Sequence, residues 1–407
     1  MSRPRMNKIR ASTAEWRSIY PWHFDRSLPS TGPILGLDRL SGGAPFGLDP
    51  FGLVDAGLAA NPNIAISGAP GNGKSALVKQ LLWWLVGTFG YRMVITDVKS
   101  EYRALAEALN TPVLDLHPGG TDHVNPLDDA AGSLEFTRGL ASLCVERSLA
   151  PIESAVLAAA MRSLPQQPEL TDLLSILRVM PSAVLDELGV PSRDEALRDT
   201  QALRYGLGEL LHGSLAGMFC GRTNVDLTTS PRGFVVDLSK CGTDTRALRF
   251  AMLAGTRATD QLIATSAGRT LAVNDEAWLL CATGETVRWL QHSQKLGRNR
   301  GQANIIVVHR FAEVGHQADG PTGRIADWLI ADADTHIMFR AGSQDDAHET
   351  VARFGLPTSL EGSLATLPPH RCLIRVRGRL ALLDTMLSTA MASLADTNSA
   401  MRLNAAW

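Results

Sequence analysis

Residues 68–75 read GAPGNGKS, which satisfies GxxxxGK[ST] through Gly68, Gly73, Lys74 and Ser75. The chemistry served by this spacing is polyphosphate binding. Glycines let the main chain wrap so that its N–H groups point at anionic oxygens, where a side chain would block the approach. A helix beginning at Ser75 offers the positive end of its dipole to the same anions. Lys74 is expected to neutralise the β- and γ-phosphates and Ser75 to ligate magnesium. Nucleotide contacts are expected along Gly68, Ala69, Pro70, Gly71, Asn72, Gly73, Lys74, Ser75 and Ala76.

A second set of residues supplies the carboxylates. LAVNDEAW (271–278) has four residues of β character running into Asp275 and Glu276, the form of a Walker B strand. Asp275 is expected in the magnesium shell, and Glu276 is expected to orient and polarise an attacking water. Positioning supplies most of the rate in such a hydrolysis. Taken alone, the motif equally fits a strand ending at a solvated acidic turn, and the glycine loop upstream tips the balance toward chemistry. No NKxD guanine-reading motif occurs, which favours ATP over GTP.

Further polar residues stand at strand ends. NIIVVH closes on His309, which is placed either to touch a γ-phosphate or to be satisfied by backbone. Arg298, Arg300 and Arg340 are candidates for an arginine that stabilises transition-state charge from a neighbouring subunit. Each alone fits a solvated surface residue as well. Asp97 leads into VKSEY, where Lys99 fits a phosphate contact and a salt-bridged turn equally.

These residues need a scaffold. NIAIS (63–67), RMVITD (92–97), PVLDL (112–116), GFVVDL (233–238), LAVND (271–275) and NIIVVH (304–309) read as short strands between helical patterns. That alternation predicts a mainly parallel α/β sheet, with ligands at its carboxyl edge. From Asp128 to about Pro231 the β signal disappears. ESAVLAAAMRSL and TDLLSILRVM there show helical spacing between prolines. RCLIRV and RLALLD flank Arg377-Gly378 and predict a closing hairpin. The expected division is an arm over 1–30, the first half of a P-loop domain over 31–128 and an all-helical insertion over 129–232. The second half of that domain covers 233–385 and a tail covers 386–407. The helix after Ser75 is apolar almost all round, and its Trp83-Trp84 pair is expected in the core.

The bulk properties narrow the class. The chain has 407 residues, 45% hydrophobic and 20% charged, enough to bury a sizeable core. A formal net charge of −2 argues against a surface built wholly for nucleic acid, while leaving room for a local basic channel. Five scattered cysteines without a CxxC pair fit free thiols in a reducing cytosol. The basic start MSRPRMNKIR is not followed by an apolar run, so no secretory signal is expected. LLWWLV falls far short of the roughly 20 residues that span a bilayer. The expected location is cytoplasmic, with no direct membrane insertion.

Taken in order, GPILGLD…GLDP, NPNIAISGAPGNGKS, TDVKSEYRALAEAL, VNPLD, LAGMFCGRTNVDL, GFVVDLS and LAVNDEAW resemble one family. It is the VirB-four/TraC-like conjugal-transfer ATPases of type IV secretion, within the HerA–FtsK superfamily, and the similarity runs from about Tyr20 to Leu383. The resemblance implies a RecA-like P-loop NTPase that binds ATP and Mg2+, assembles as a hexamer and hydrolyses ATP between subunits. It also implies work at the cytoplasmic face of the inner membrane beside secretion-channel components, with DNA as a candidate partner. By resemblance, Arg340 matches the family's late arginine, although Ala341 follows where glutamine is common. His309 stands where many members carry glutamine. Two other readings stay open: a HerA–FtsK-type DNA-translocating ATPase and an ATP-dependent switch.

Overall fold

The computed structural model describes residues 28–128, 133–189, 192–224, 230–265, 268–275, 300–309 and 331–395, together with Arg288, Gln291 and Lys295. Eleven strands form one sheet: β1 (Ile34–Asp38), β2 (Ala44–Gly47), β3 (Ile64–Ser67), β4 (Arg92–Asp97), β5 (Val113–Asp115), β6 (Gly233–Asp237), β7 (Thr270–Asp275), β8 (Gln302–Val308), β9 (Thr335–Met338), β10 (Arg371–Val376) and β11 (Arg379–Thr385). Their order is β2-β1-β11-β10-β9-β3-β8-β7-β4-β6-β5. The seven strands from β9 to β5 run parallel, and β10, β11, β1 and β2 extend the β9 edge antiparallel. The six strands read from sequence are all present, as is the hairpin.

Both faces of the parallel block are covered, so its strands are near-continuous apolar runs. Every residue of β3, β4, β6, β8 and β9 is buried. The period of two then sends neighbours to different layers. In β3, Ile64 and Ile66 join the cluster that contains the helix after the glycine loop, α2 (Lys74–Gly87), while Ala65 joins the opposite one. The first layer also holds α1 (Pro50–Asp55) and α3 (Arg103–Ala108).

Six helices follow β5 before the chain re-enters the sheet: α4 (Ser133–Val145), α5 (Pro151–Arg162), α6 (Leu170–Val179), α7 (Ser182–Leu188), α8 (Arg193–Asp199) and α9 (Gln201–His212). Phe136, Leu157, Leu173 and Leu207 from these helices share one apolar cluster with Val94, Leu114 and Val236 of the sheet. The helical segment therefore packs directly onto a sheet face. α10 (Thr245–Thr265) lies on the same side, and α11 (Gln344–Phe354) and α12 (Glu361–Thr366) complete it near β9.

Some elements went beyond the sequence reading. β9 covers THIM, which has too few residues to show alternation and becomes a strand because β3 and β10 pair with it on both sides. ILGLD and APFG form the outer antiparallel strands. A Cβ at Gly36 would stand 2.0 Å from the Asp384 carbonyl oxygen, so only glycine permits this pairing with β11. Past the hairpin, α13 (Thr389–Ala395) docks on α2, where Lys79 Nζ donates to the Leu394 carbonyl at 3.1 Å. Trp83 is partly buried as expected, but Trp84 is 38% exposed. The α2 stripe that faces the sheet uses Leu77, Val78, Leu81, Leu82 and Leu85 instead.

Cys144, Cys220, Cys241 and Cys372 are free thiols, and Cys281 lies outside the described residues. Among the described residues no helix is long and apolar enough to cross a membrane.

Candidate phosphate-binding site

The glycine loop links β3 to α2 at the carboxyl edge of the sheet. Gly68, Gly71 and Gly73 have φ of +146°, +76° and +102°, a region that other residues rarely adopt. Gly68 is also pinned sterically, since a Cβ there would stand 2.5 Å from the Phe339 Cβ. The ends of two neighbouring strands hold the loop. Gly68 N–H donates to the His309 carbonyl at 3.3 Å, Phe339 N–H to Ser67 at 2.8 Å and Ala69 N–H to Arg340 at 2.8 Å. Within the loop, Asn72 Nδ2 donates to the carbonyls of Ala69 and Pro70. Gly73 then caps α2 in a left-handed conformation, and Lys74 and Ser75 open the helix.

Lys74 is 7% exposed and curls back over the loop. Its ammonium donates to the carbonyl of Gly68 at 2.6 Å and to that of Ala69 at 3.2 Å, with Nδ1 of His309 3.4 Å away. His309 follows β8, the strand paired directly with β3. The two residues are thus brought together from 235 positions apart.

Asp275 ends β7, one strand farther from the loop, in register with Val307 of β8 and buried at 7% exposure. Glu276 and Arg298 lie outside the described residues. Arg300 is exposed in the turn before β8. Arg340 is exposed too, while its carbonyl is bonded to the phosphate loop of its own chain.

Two further aspartates at strand ends, Asp97 and Asp237, are engaged in shaping loops. Asp97 accepts N–H bonds from Lys99 and Glu101 at 3.1 Å and from Tyr102 at 2.8 Å, closing a tight turn in which Ser100 has φ of +58°. Burial raises its pKa despite those bonds. Asp237 accepts from Ser100 Oγ at 2.6 Å and from Arg103 at 2.7 Å. Burial alone would raise its pKa, but the bonds from Ser100, Ser239 and Arg103 outweigh that and leave it below the usual carboxylate range. Arg103 continues to Asp115, which Lys240 also meets at 2.7 Å. Three parallel strand ends are stitched together in this way, and the VKSEY segment is held beside Asp275.

The sequence reading passed over three residues here. Phe339 sets the floor under Gly68. His370, at φ +62°, donates its N–H to the Asn72 carbonyl and rests its ring against Gly73. Tyr102 is wholly buried beside Ser75 and Asp275. None of the three has a local signature.

Among the described residues no group of three His, Cys, Asp or Glu side chains is arranged to hold a metal. Magnesium does not require such a cage, because it keeps several waters and takes one or two protein ligands. A hydroxyl at Ser75, a carboxylate at Asp275 and the buried phenol of Tyr102 near both fit that demand.

Comparison with known proteins agrees with this geometry. Residues 54–204 match the family described as helicase HerA, central domain. No curated protein matches the chain in sequence. Among solved structures, VirB4 of Thermoanaerobacter pseudethanolicus superposes with a TM-score of 0.72 at 20% identity, over 90% of this chain and 99% of that one. The bacterial conjugative coupling protein TrwB gives 0.60 at 14% identity over 95% of both chains. TrwB bound to a non-hydrolysable ATP analogue gives 0.61 at 16% over 91% of this chain and 96% of that one. The resemblance read from the motifs is borne out in pattern and fold: residues 54–204 carry the HerA central-domain pattern, and the chain has the fold of VirB4 and TrwB.

Proposed function

We propose that the chain is the ATP-hydrolysing motor of a conjugative or type IV secretion system, energising assembly or the transfer of DNA or protein. One observation carries this reading. Lys74, the glycine cradle, His309 and Asp275 meet at one edge of a sheet whose fold is shared with VirB4 over nearly the whole of both chains.

In the proposed reaction the main chain of Gly68 to Ala76 wraps the phosphates. Lys74 leaves the Gly68 and Ala69 carbonyls to neutralise the β- and γ-oxygens. Ser75 and Asp275 hold Mg2+, which supplies charge neutralisation on those oxygens. Glu276 orients and polarises the attacking water, and His309 reads the γ-phosphate from the tip of β8. Arg340 completes the charge stabilisation at an interface between subunits of a homo-hexamer. The division into a P-loop domain in two halves, 31–128 and 233–385, around the helical insertion 129–232 belongs to the same reading. So do an arm over 1–30, a tail over 386–407, and a cytoplasmic position peripheral to the inner membrane beside channel components.

A second reading, a DNA-translocating motor, is favoured by the likeness to the coupling protein TrwB. ATP hydrolysis measured alone, with single-stranded DNA and with double-stranded DNA separates the two. The secretion reading predicts activity with modest dependence on DNA. A large stimulation, on the order of the tenfold that 1.4 kcal/mol represents, transfers the proposal to the DNA pump.

A further inference from the structure

Tyr102 is among the largest fully buried side chains of the protein. Its ring lies under Lys79, whose ammonium is 5.7 Å from the ring centroid. Lys79 and Ser75 are four residues apart on α2 and so share one helix face. The phenol therefore runs along that face toward the first turn of the helix. Its main chain is fixed independently, by the 2.8 Å bond to Asp97. Asp97 in turn follows Thr96, which is in register with Asn274, so the turn stands level with Asp275 on the adjacent strand.

At the end of this well-fixed side chain, the hydroxyl is buried and has no well-formed hydrogen bond, although Ser75 adjoins it. Oε2 of the preceding Glu101 is likewise buried without a partner. Buried polar atoms are normally satisfied, and a phenol hydroxyl without a well-formed bond beside Ser75 and near Asp275 marks a space for something polar. Phenylalanine would fill the same volume without that cost.

We infer that Tyr102 is a positioning residue for the magnesium site: its hydroxyl hydrogen-bonds the metal's water shell between Ser75 and Asp275. This rests on the proposed ATP-binding reading. Outer-shell partners of this sort typically change metal affinity by ten- to a hundredfold when removed. The inference also explains why the VKSEY turn is built so firmly, with Asp97 spending its hydrogen-bonding capacity on three N–H groups.

The test compares the full chain with Tyr102→Phe, using calorimetric ATP binding in EDTA and in rising MgCl2, together with thermal melts without nucleotide. The expected result is equal ATP affinity in EDTA. The MgCl2 needed for half-maximal tightening should rise about ten- to a hundredfold in the variant. The melting temperature without nucleotide should be unchanged or higher. An unchanged magnesium requirement overturns the inference while leaving the ATP reading intact. A variant that melts well below the parent, or fails to fold, overturns it too, because the hydroxyl then serves the fold. A parent chain that binds no ATP under any condition removes the ATP reading and this inference with it.

Discussion

The ammonium of Lys74 donates to the carbonyl of Gly68 at 2.6 Å and stands 3.4 Å from Nδ1 of His309. A buried cation is costly unless it is paired or hydrogen-bonded, and here the loop's own carbonyls accept from it beside His309. The carbonyls of Gly68 and Ala69 carry no charge, so a polyphosphate in the cradle is a stronger attractor than they are. Replacing Lys74 with alanine is expected to abolish measurable ATP binding while leaving the fold intact by circular dichroism.

His309 is expected to act on turnover rather than on binding. His309→Ala should lower the hydrolysis rate by about a hundredfold, the scale of one lost transition-state donor. His309→Gln restores a donor and should recover most of that loss. Steady-state phosphate release paired with equilibrium binding separates the effects. An equal fall in affinity and rate for His309→Ala would assign the residue to holding Lys74 in place.

The glycines of the loop are not equivalent. Gly68→Ala drives a Cβ to 2.5 Å from that of Phe339 and keeps a left-handed φ, so it should cost more than about 2 kcal/mol and lower Tm by several degrees. Gly71→Ala meets only open space and should cost about 1–2 kcal/mol through its backbone alone. Thermal denaturation of the two variants side by side checks the ranking.

Arg103 ties α3 to Asp237 and Asp115, and its loss at neutral pH should cost about 2 kcal/mol, the scale of hydrogen bonds to charged groups. The pH dependence has a definite sign. Asp237 and Asp115 have folded pKa values below their unfolded ones. Their contribution is fully present above the unfolded carboxylate pKa of about 3.9 and is lost as pH falls through the folded values. Asp97, raised by burial, titrates in the opposite sense and offsets part of that loss. The Tm gap between parent and Arg103→Ala is therefore expected to hold from pH 7 to about 5 and to narrow below about 3. A gap independent of pH would show that Arg103 acts through packing alone.

Much of this site was legible in local sequence because its parts are local. The strand–loop–helix around Gly68–Ser75 and the strand ending at Asp275 each carry their signature within about ten residues. What escaped notice depends on partners far along the chain. β9 is a strand only between β3 and β10, and ILGLD pairs with a strand some 350 residues away. Asp97 and Asp237 stand at the carboxyl edge where ligands are expected, yet they cap and clamp the loop that carries Tyr102. Tyr102 has no local signature, because burial beside Ser75 and Asp275 is a property of the assembled layers.

Hydrolysis by the purified chain and by Glu276→Gln tests the central claim most directly. Phosphate release from ATP with magnesium should be readily measured for the parent. The variant should keep ATP affinity within a few-fold and lose turnover by about 10²-fold or more. A variant that hydrolyses ATP at the parental rate, or a parent that binds no ATP, would contradict the account.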